Sequence, residues 1–334
     1  MLDVDGPKTG HMDRFSAHRQ RAAGELRRLL VGAPARVANA SRNAGAERDR
    51  HRRWAPARDA LWDFIAPWLD DGARVAIVGA GNGDDLPLRR IVRRAGEVVL
   101  IDIDPRAAQG ARRRLRRAER RKVAVVGHDV TRGGADRVAL AVLRDGDGDS
   151  ADGAAVGIAL AEPQSDDRES GSVRPAALAL RPDLPLPGAP YDLVVGDLLY
   201  SQLLYPALLD LGVDPDRRAA ALARHARHLT RAVVARLHAS APRVVHLHDP
   251  LAWWDGHEQP VGLEAVLARA ASDGPGAVLS LAARGLGPHE SDPRTALADL
   301  GITPTATALW RWPFADDVDY LVCATYAGPP REGT

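Results

Sequence analysis

Asp102, Asp129 and Asp197 each follow a short apolar run, and a fourth such run, Arg74–Val78, leads into Gly79-Ala80-Gly81-Asn82-Gly83. Glycines at a strand end let the backbone approach a ligand closely. A carboxylate about twenty residues further on accepts hydrogen bonds from ribose hydroxyls. Asp102, after Val98–Ile101, has that spacing. Gly127-His128-Asp129 follows a third run, Val123–Val126, so Asp129 is placed to accept from an adenine amino group, with Ile103 packed on the ring. These positions together call for an adenosine-bearing ligand.

Residues 84 and 85 narrow the choice. A dinucleotide fingerprint needs glycine at 84, where this chain has Asp84 and then Asp85. Two acids at a helix N-terminus repel a pyrophosphate. There is no Gly-Lys-Ser/Thr phosphate loop. A phosphate-free ligand fits better, and the sulfonium cation of S-adenosylmethionine tolerates neighbouring carboxylates.

Strands and helices must position these residues. Arg74–Val78, Val98–Ile101 and Val123–Val126 read as strands, separated by helices at Asp85–Ala95 and Pro105–Arg121. Tyr191–Gly196 and Arg243–Leu247 read as a fourth and fifth strand, with helices at 133–143, Pro215–Ser240 and Gly262–Ala271. Thr305–Trp312 and Asp319–Tyr326 read as a terminal hairpin around Pro313–Asp317. The fold class is therefore α/β: a doubly wound, mostly parallel sheet with an antiparallel C-terminal strand. Residues 12–31 read as an amphipathic helix, 33–46 as a loop, and Pro56–Trp68 as a helix. The domain reading is an N-terminal helical extension over 1–54 and a Rossmann-like domain over 55–330. A flexible Asp-, Gly- and Pro-rich insertion interrupts it at 144–190. The Asp145–Gly153 run lacks the closing glutamate of an EF-hand loop.

With these motifs in place, the chain resembles the class I S-adenosylmethionine-dependent methyltransferases, over about residues 55–327 outside the insertion. Gly79-Ala-Gly-Asn-Gly83 is similar to their first motif, Asp102 to the ribose acid, Asp129 to the adenine-side acid, and Tyr191–Asp197 to the motif beside the methyl group. The resemblance implies S-adenosylmethionine as cofactor, held by Gly79, Gly81, Asn82, Gly83, Asp102, Ile103 and Asp129. It implies seven strands, the last antiparallel. The family usually carries an acid two residues before the first glycine. Ile77 stands there, leaving Asp84 or Asp85 to anchor the methionine amino group. Aminopropyltransferases of the spermidine synthase type share that departure and resemble the Leu100–Pro105 stretch. They usually add an N-terminal β-domain and a second acid after strand four, which Asp197-Leu-Leu-Tyr200 lacks. A non-catalytic adenosine-ligand-binding protein is the other alternative.

On the acceptor side, Asp197 is expected to orient or deprotonate a nucleophile and Tyr200 to wall the pocket, as the two candidate catalytic residues. Asp197-x-x-Tyr200 has the spacing of the amino-methyltransferase motif without its two prolines. After the fifth strand come His246, His248, Asp249, Trp253, Trp254 and His257. They miss the binuclear hydrolase pattern, so no metal is expected. His248 and Asp249 can reach the pocket edge, and Trp253 and Trp254 either line the acceptor cavity or pack. Trp310 and Trp312 read as core.

Totals bound the rest. The 334 residues, 45% hydrophobic, suffice for one core with appendages. The polar start and the absence of a long apolar window predict a cytoplasmic protein. One cysteine, Cys323, excludes an internal disulfide and a cysteine-built zinc site. Nearly all basic residues are arginine, which with abundant Ala, Gly and Pro suggests a GC-rich bacterial genome. Residues 1–60 carry 13 Lys/Arg against 7 Asp/Glu. That asymmetry admits nucleic acid or an anionic acceptor facing Arg50, Arg52 and Arg53. A solvated helical surface and a small-molecule acceptor are the favoured reading.

Overall fold

The computed structural model describes residues 33–44, 49–144, 184–256, 259–281 and 291–330. The helix expected over 12–31, the Asp145–Gly153 run, most of the insertion and His257 lie outside the described residues.

Seven strands form one sheet: β1 (Arg74–Val78), β2 (Glu97–Asp102), β3 (Val123–Gly127), β4 (Leu193–Gly196), β5 (Val244–Trp254), β6 (Ala306–Ala315) and β7 (Val318–Ala327). Their order is β3-β2-β1-β4-β5-β7-β6. The first five are parallel, and β7 runs antiparallel to both β5 and β6. This is the Rossmann-like, mostly parallel sheet that the sequence predicts, with its C-terminal strand antiparallel. Sequence order reverses between β1 and β4, so the chain leaves these neighbours in opposite directions. A crevice opens at their carboxyl ends, where open α/β sheets bind ligands.

Helices cover both faces, which is why the central strands are apolar throughout rather than alternating. Ala76, Val78, Val99, Ile101 and Val194 pack under α7 (Gly134–Arg144) and α9 (Pro215–His238). Val75, Ile77, Val98, Leu100 and Val195 pack under α3 (Ala55–Ile65), α4 (Leu88–Arg94) and α5 (Pro105–Arg113). The long helix α9 starts where Asp214 accepts from the N–H groups of Asp216 and Arg217, with Pro215 at its first turn.

Six segments differ from their expected form. The loop expected over 33–46 is, within its described residues, helix α1 over Pro34–Ala44. Pro34 opens it, four alanines favour it, and buried Ala35 and Ala38 let it lie close to its neighbours. After the short α2 (Arg50–Arg53), α3 follows as expected. The helix expected from Asp85 begins only at Leu88, because Pro87 marks its start and leaves 84–87 as loop. The helix expected over 105–121 divides into α5 and α6 (Arg117–Arg120), where Glu119 accepts from the Arg116 N–H at 2.9 Å. A further helix, α8 (Tyr205–Asp210), follows β4. β5 runs past Leu247 to Trp254, with a register shift between His248 and Leu251 where Pro250 has no N–H to pair. The last residues of the expected insertion are packed: Leu186 is buried, and its N–H donates to Ser240 Oγ at 2.8 Å.

Candidate active site

A cavity of about 650 Å³ opens at the β1/β4 reversal, floored by the glycine loop. Gly79, Gly81 and Gly83 all hold positive φ, at 82°, 45° and 61°. Gly79 also allows a close approach. A methyl group there would sit 2.7 Å from the Asp197 carbonyl oxygen. Gly79→Ala is therefore expected to lower unfolding free energy by about 3 kcal/mol through strain and overlap. Urea unfolding checks this, and an unshifted midpoint would contradict it.

Asp102 is buried and already organises the loop. Its Oδ2 accepts from Gly81 N–H at 2.8 Å and its Oδ1 from Asp104 N–H at 2.7 Å. Burial raises its pKa, and the two donors pull the other way. Each oxygen keeps a lone pair for a further donor. Asp104 caps α5 through Arg106 N–H and accepts from Asn43 Nδ2 at 3.1 Å. Asn82 Nδ2 donates back to the Asn43 carbonyl at 2.9 Å, and Ala35 N–H donates to Asp136 at 2.7 Å. Asparagine side chains thus tie α1 across the glycine loop, and Ala35, Asn39, Arg42 and Asn43 line the cavity. Ile103, His128 and Asp129 line it too. The Asp129 carboxylate caps the start of α7, accepting from Thr131 N–H, Thr131 Oγ and Gly133 N–H. It can share only its remaining lone pairs with a ligand.

Asp197 is the exception to this economy. It is 3% exposed, lines the cavity, and neither carboxylate oxygen has a hydrogen-bond partner among the described residues. Leu198, directly after it, is held at φ 46°, a turn that costs about 1–2 kcal/mol in an L-residue. Burial drives the Asp197 pKa well above the usual carboxylate range, and Asp85 and Asp102 add to the rise. Asp85, also on the wall, is pushed up to about 6, chiefly by burial. Asp84 is committed elsewhere: Arg50 and Arg114 each approach its carboxylate to 3.0 Å. Of the two acids offered in place of Ile77, Asp85 is the one left without an ion-pair contact closer than those of Asp84. Ile77 itself is fully buried under the α3/α4 layer.

Tyr200 is not brought to the cavity. Its ring is 1% exposed, and its hydroxyl meets His246 Nδ1 at 2.5 Å, with His238 Nε2 3.1 Å from the far side of that imidazole. The turn at Leu198 carries residue 200 back under β4, so the pocket-wall role expected for Tyr200 has no geometry behind it. Burial holds His246 well below the usual histidine pKa and His238 at about 4, so both are neutral. Asp249 does reach the cavity, pushed up to about 6 by burial and accepting from Ser201 Oγ at 3.3 Å. His248 faces Asp292 instead, at 3.3 Å. Trp253 packs against Leu251 and Leu263, and Trp254 is exposed. Neither tryptophan lines the cavity. Among the described residues no group of His, Cys, Asp or Glu is placed to hold a metal.

An aromatic wall escaped the sequence reading. Trp312 lines the cavity rather than the core alone, together with Phe314, Tyr320 and Trp54. Trp312 pairs with Tyr320 across the β6/β7 ladder, and Trp54 packs edge-on against Trp312 at 4.7 Å. Arg53 and the Trp54 indole donate to the Phe314 carbonyl, fixing the hairpin against α2 and α3. The available signal was the alternation Trp310-x-Trp312-x-Phe314, which puts three aromatics on one face of a strand that outruns the sheet.

No family model and no curated protein matches the sequence. Solved structures do. A magnesium protoporphyrin IX methyltransferase from Synechocystis with bound S-adenosylhomocysteine is 13% identical, with 82% of this chain and 81% of that one covered and a TM-score of 0.36. The N-methyltransferase NodS from Bradyrhizobium japonicum, with the same ligand, is 13% identical over 85% and 88%, TM-score 0.34. A SAM-dependent methyltransferase from Aquifex aeolicus is 13% identical over 84% and 93%, TM-score 0.35. Likeness at this level carries no argument about chemistry, which rests on the site itself. The sheet order and the antiparallel β7 give the chain a Rossmann-like fold.

Proposed function

We propose that this chain binds S-adenosylmethionine and transfers its methyl group to a small-molecule acceptor. One observation carries the reading: the unpartnered Asp197 carboxylate shares a cavity with a glycine loop pinned by Asp102. The residues present fit the ligand. Gly79, Gly81 and Gly83 leave room for it, while Asn82 fixes α1 above them. Asp102 receives the ribose, and Ile103 and Asp129 flank the adenine. Asp85 takes the amino group in the absence of an acid at 77. A dinucleotide fits worse, because α4 starts five residues after Gly83 and Asp84 and Asp85 fill the gap. A helical rather than β-rich lead into β1, among the described residues, also separates the chain from the aminopropyltransferase pattern.

When bound, S-adenosylmethionine supplies a methyl carbon made electrophilic by the sulfonium. The protein's part is to align the acceptor and manage charge. Burial raises the pKa of Asp197 well above the usual carboxylate range and that of Asp85 to about 6, and a bound cation favours the carboxylate form of both. Below about pH 6 binding should therefore release a proton from Asp85, and affinity should rise with pH up to that point by at most about tenfold per unit, with Asp197, raised further, extending the rise in the same direction. Calorimetry in two buffers of different ionisation enthalpy reads this. The expected result is binding of both S-adenosylmethionine and S-adenosylhomocysteine, with the steeper pH slope for the sulfonium, and no binding of NAD. Failure of both sulfur ligands to bind at millimolar concentration refutes the function. Identical slopes refute the electrostatic part.

A further inference from the structure

The cavity is larger than its glycine-loop half, and its other half has a distinct character. Trp54, Trp312, Phe314 and Tyr320 form a continuous aromatic surface, with Trp312 and Phe314 at 5.1 Å and Phe314 and Tyr320 at 5.2 Å, both edge to face. Facing it are two carboxylates on neighbouring strand ends. Asp197 follows β4 with both oxygens unpartnered. Asp249, in β5, accepts from Ser201 Oγ at 3.3 Å, and Tyr320 beside it has its phenol pKa raised by burial first and then by Asp249.

The positive charges on the wall are already matched. Arg42 lies 3.6 Å from Asp210, Arg50 lies 3.0 Å from Asp84 and covers the Trp54 ring at 4.4 Å, and Arg53 lies 3.1 Å from Asp316. His128 is half-buried and kept below its usual pKa, mainly by burial and then by Arg236. An anionic acceptor would meet buried carboxyls and guanidiniums that are already engaged. A cation would meet ring faces and uncompensated acids, the pairing that recognises ammonium groups.

We infer that the acceptor is an amine on an apolar or aromatic body, captured as its ammonium form between the Trp54/Trp312/Phe314/Tyr320 wall and the carboxylates of Asp249 and Asp197. This rests on the function proposed above and names the substrate class of that same site. Capture also prepares the nucleophile. One ammonium proton passes to an Asp197 oxygen, leaving a carboxylic acid and a neutral amine whose nitrogen keeps the lone pair. The Asp249 carboxylate balances the charge as it returns to the nitrogen.

The test is calorimetry on the full chain with benzylammonium chloride, benzyl alcohol and sodium benzoate, with and without saturating S-adenosylhomocysteine. Benzylammonium is expected to bind about tenfold more tightly than either isostere. Asp249→Asn and Trp312→Leu should each erase that preference and leave S-adenosylhomocysteine affinity as in the wild type. If Trp312→Leu loses that affinity, Phe314→Leu at the exposed rim carries the same comparison. Absent or equal binding of benzylammonium, tighter binding of benzoate, or a preference that survives the substitutions overturns the inference. The two readings fail separately. Loss of S-adenosylhomocysteine binding by the wild type removes the cofactor reading, and the amine preference is still read on the unliganded protein.

Discussion

Asp102→Ala is expected to weaken S-adenosylhomocysteine binding by about 100-fold, more than loss of a ribose contact alone would cause. The ribose hydrogen bonds account for roughly 1–3 kcal/mol. The substitution also frees the N–H groups of Gly81 and Asp104, now held at 2.8 and 2.7 Å, so the loop loses its shape before any ligand arrives. The same change should lower unfolding free energy by about 2 kcal/mol, since two buried donors lose their acceptor. Asp102→Asn separates the two effects. Its carbonyl can still accept from Asp104, but its amide cannot accept from Gly81, so an intermediate affinity is expected. Titration calorimetry and urea unfolding on the three proteins measure both quantities. Unchanged affinity in Asp102→Ala would remove the residue from the ligand site.

Asp197→Asn is expected to dissociate function from stability. A buried carboxyl without partners costs the fold rather than supporting it, and carboxamide and neutral carboxyl are nearly isosteric, so the cost changes little on exchange. Unfolding free energy should stay within about 1 kcal/mol of the wild type. Methyl transfer should fall by about 100- to 1000-fold, because the variant can neither ionise beside a cation nor take a proton. The check is single-turnover methyl transfer beside a thermal melt. An unchanged rate would reduce Asp197 to a turn residue after β4.

The glycine-loop half of the cavity was legible because its signals are local. Glycine spacing, Asp102 and Asp129 all stand at strand ends, and a parallel sheet brings successive strand ends together whatever the helices do. The acceptor half was not legible, because it depends on distant pairing. Trp54 and Trp312 meet across 258 positions only because β7 inserts beside β5 and carries β6 outward. Tyr200 failed for the opposite reason. Three residues after Asp197, it looked like a pocket residue by proximity in sequence. A single left-handed residue, Leu198, sends it into the core. Helix α1 was missed because its apolar face is alanine, too weak in hydrophobic contrast to display a period. Its packing, not its amphipathicity, keeps it in place.

That helix has a consequence in time rather than in space. α1 crosses the glycine loop on a few side-chain hydrogen bonds involving Asn43, Asn82 and Asp136, the Arg42–Asp210 ion pair, and the small buried residues Pro34, Ala35 and Ala38. Contacts so small can be broken and remade while the sheet beneath stays intact. For the ligand proposed above, residence in the cavity would then depend on how often α1 lifts as well as on the grip below it. On that reading a spent cofactor held firmly by Asp102 could still leave quickly, and off-rates of S-adenosylhomocysteine that rise when Asn43 is replaced by Ala, with little change in the Asp102 contacts, would show it.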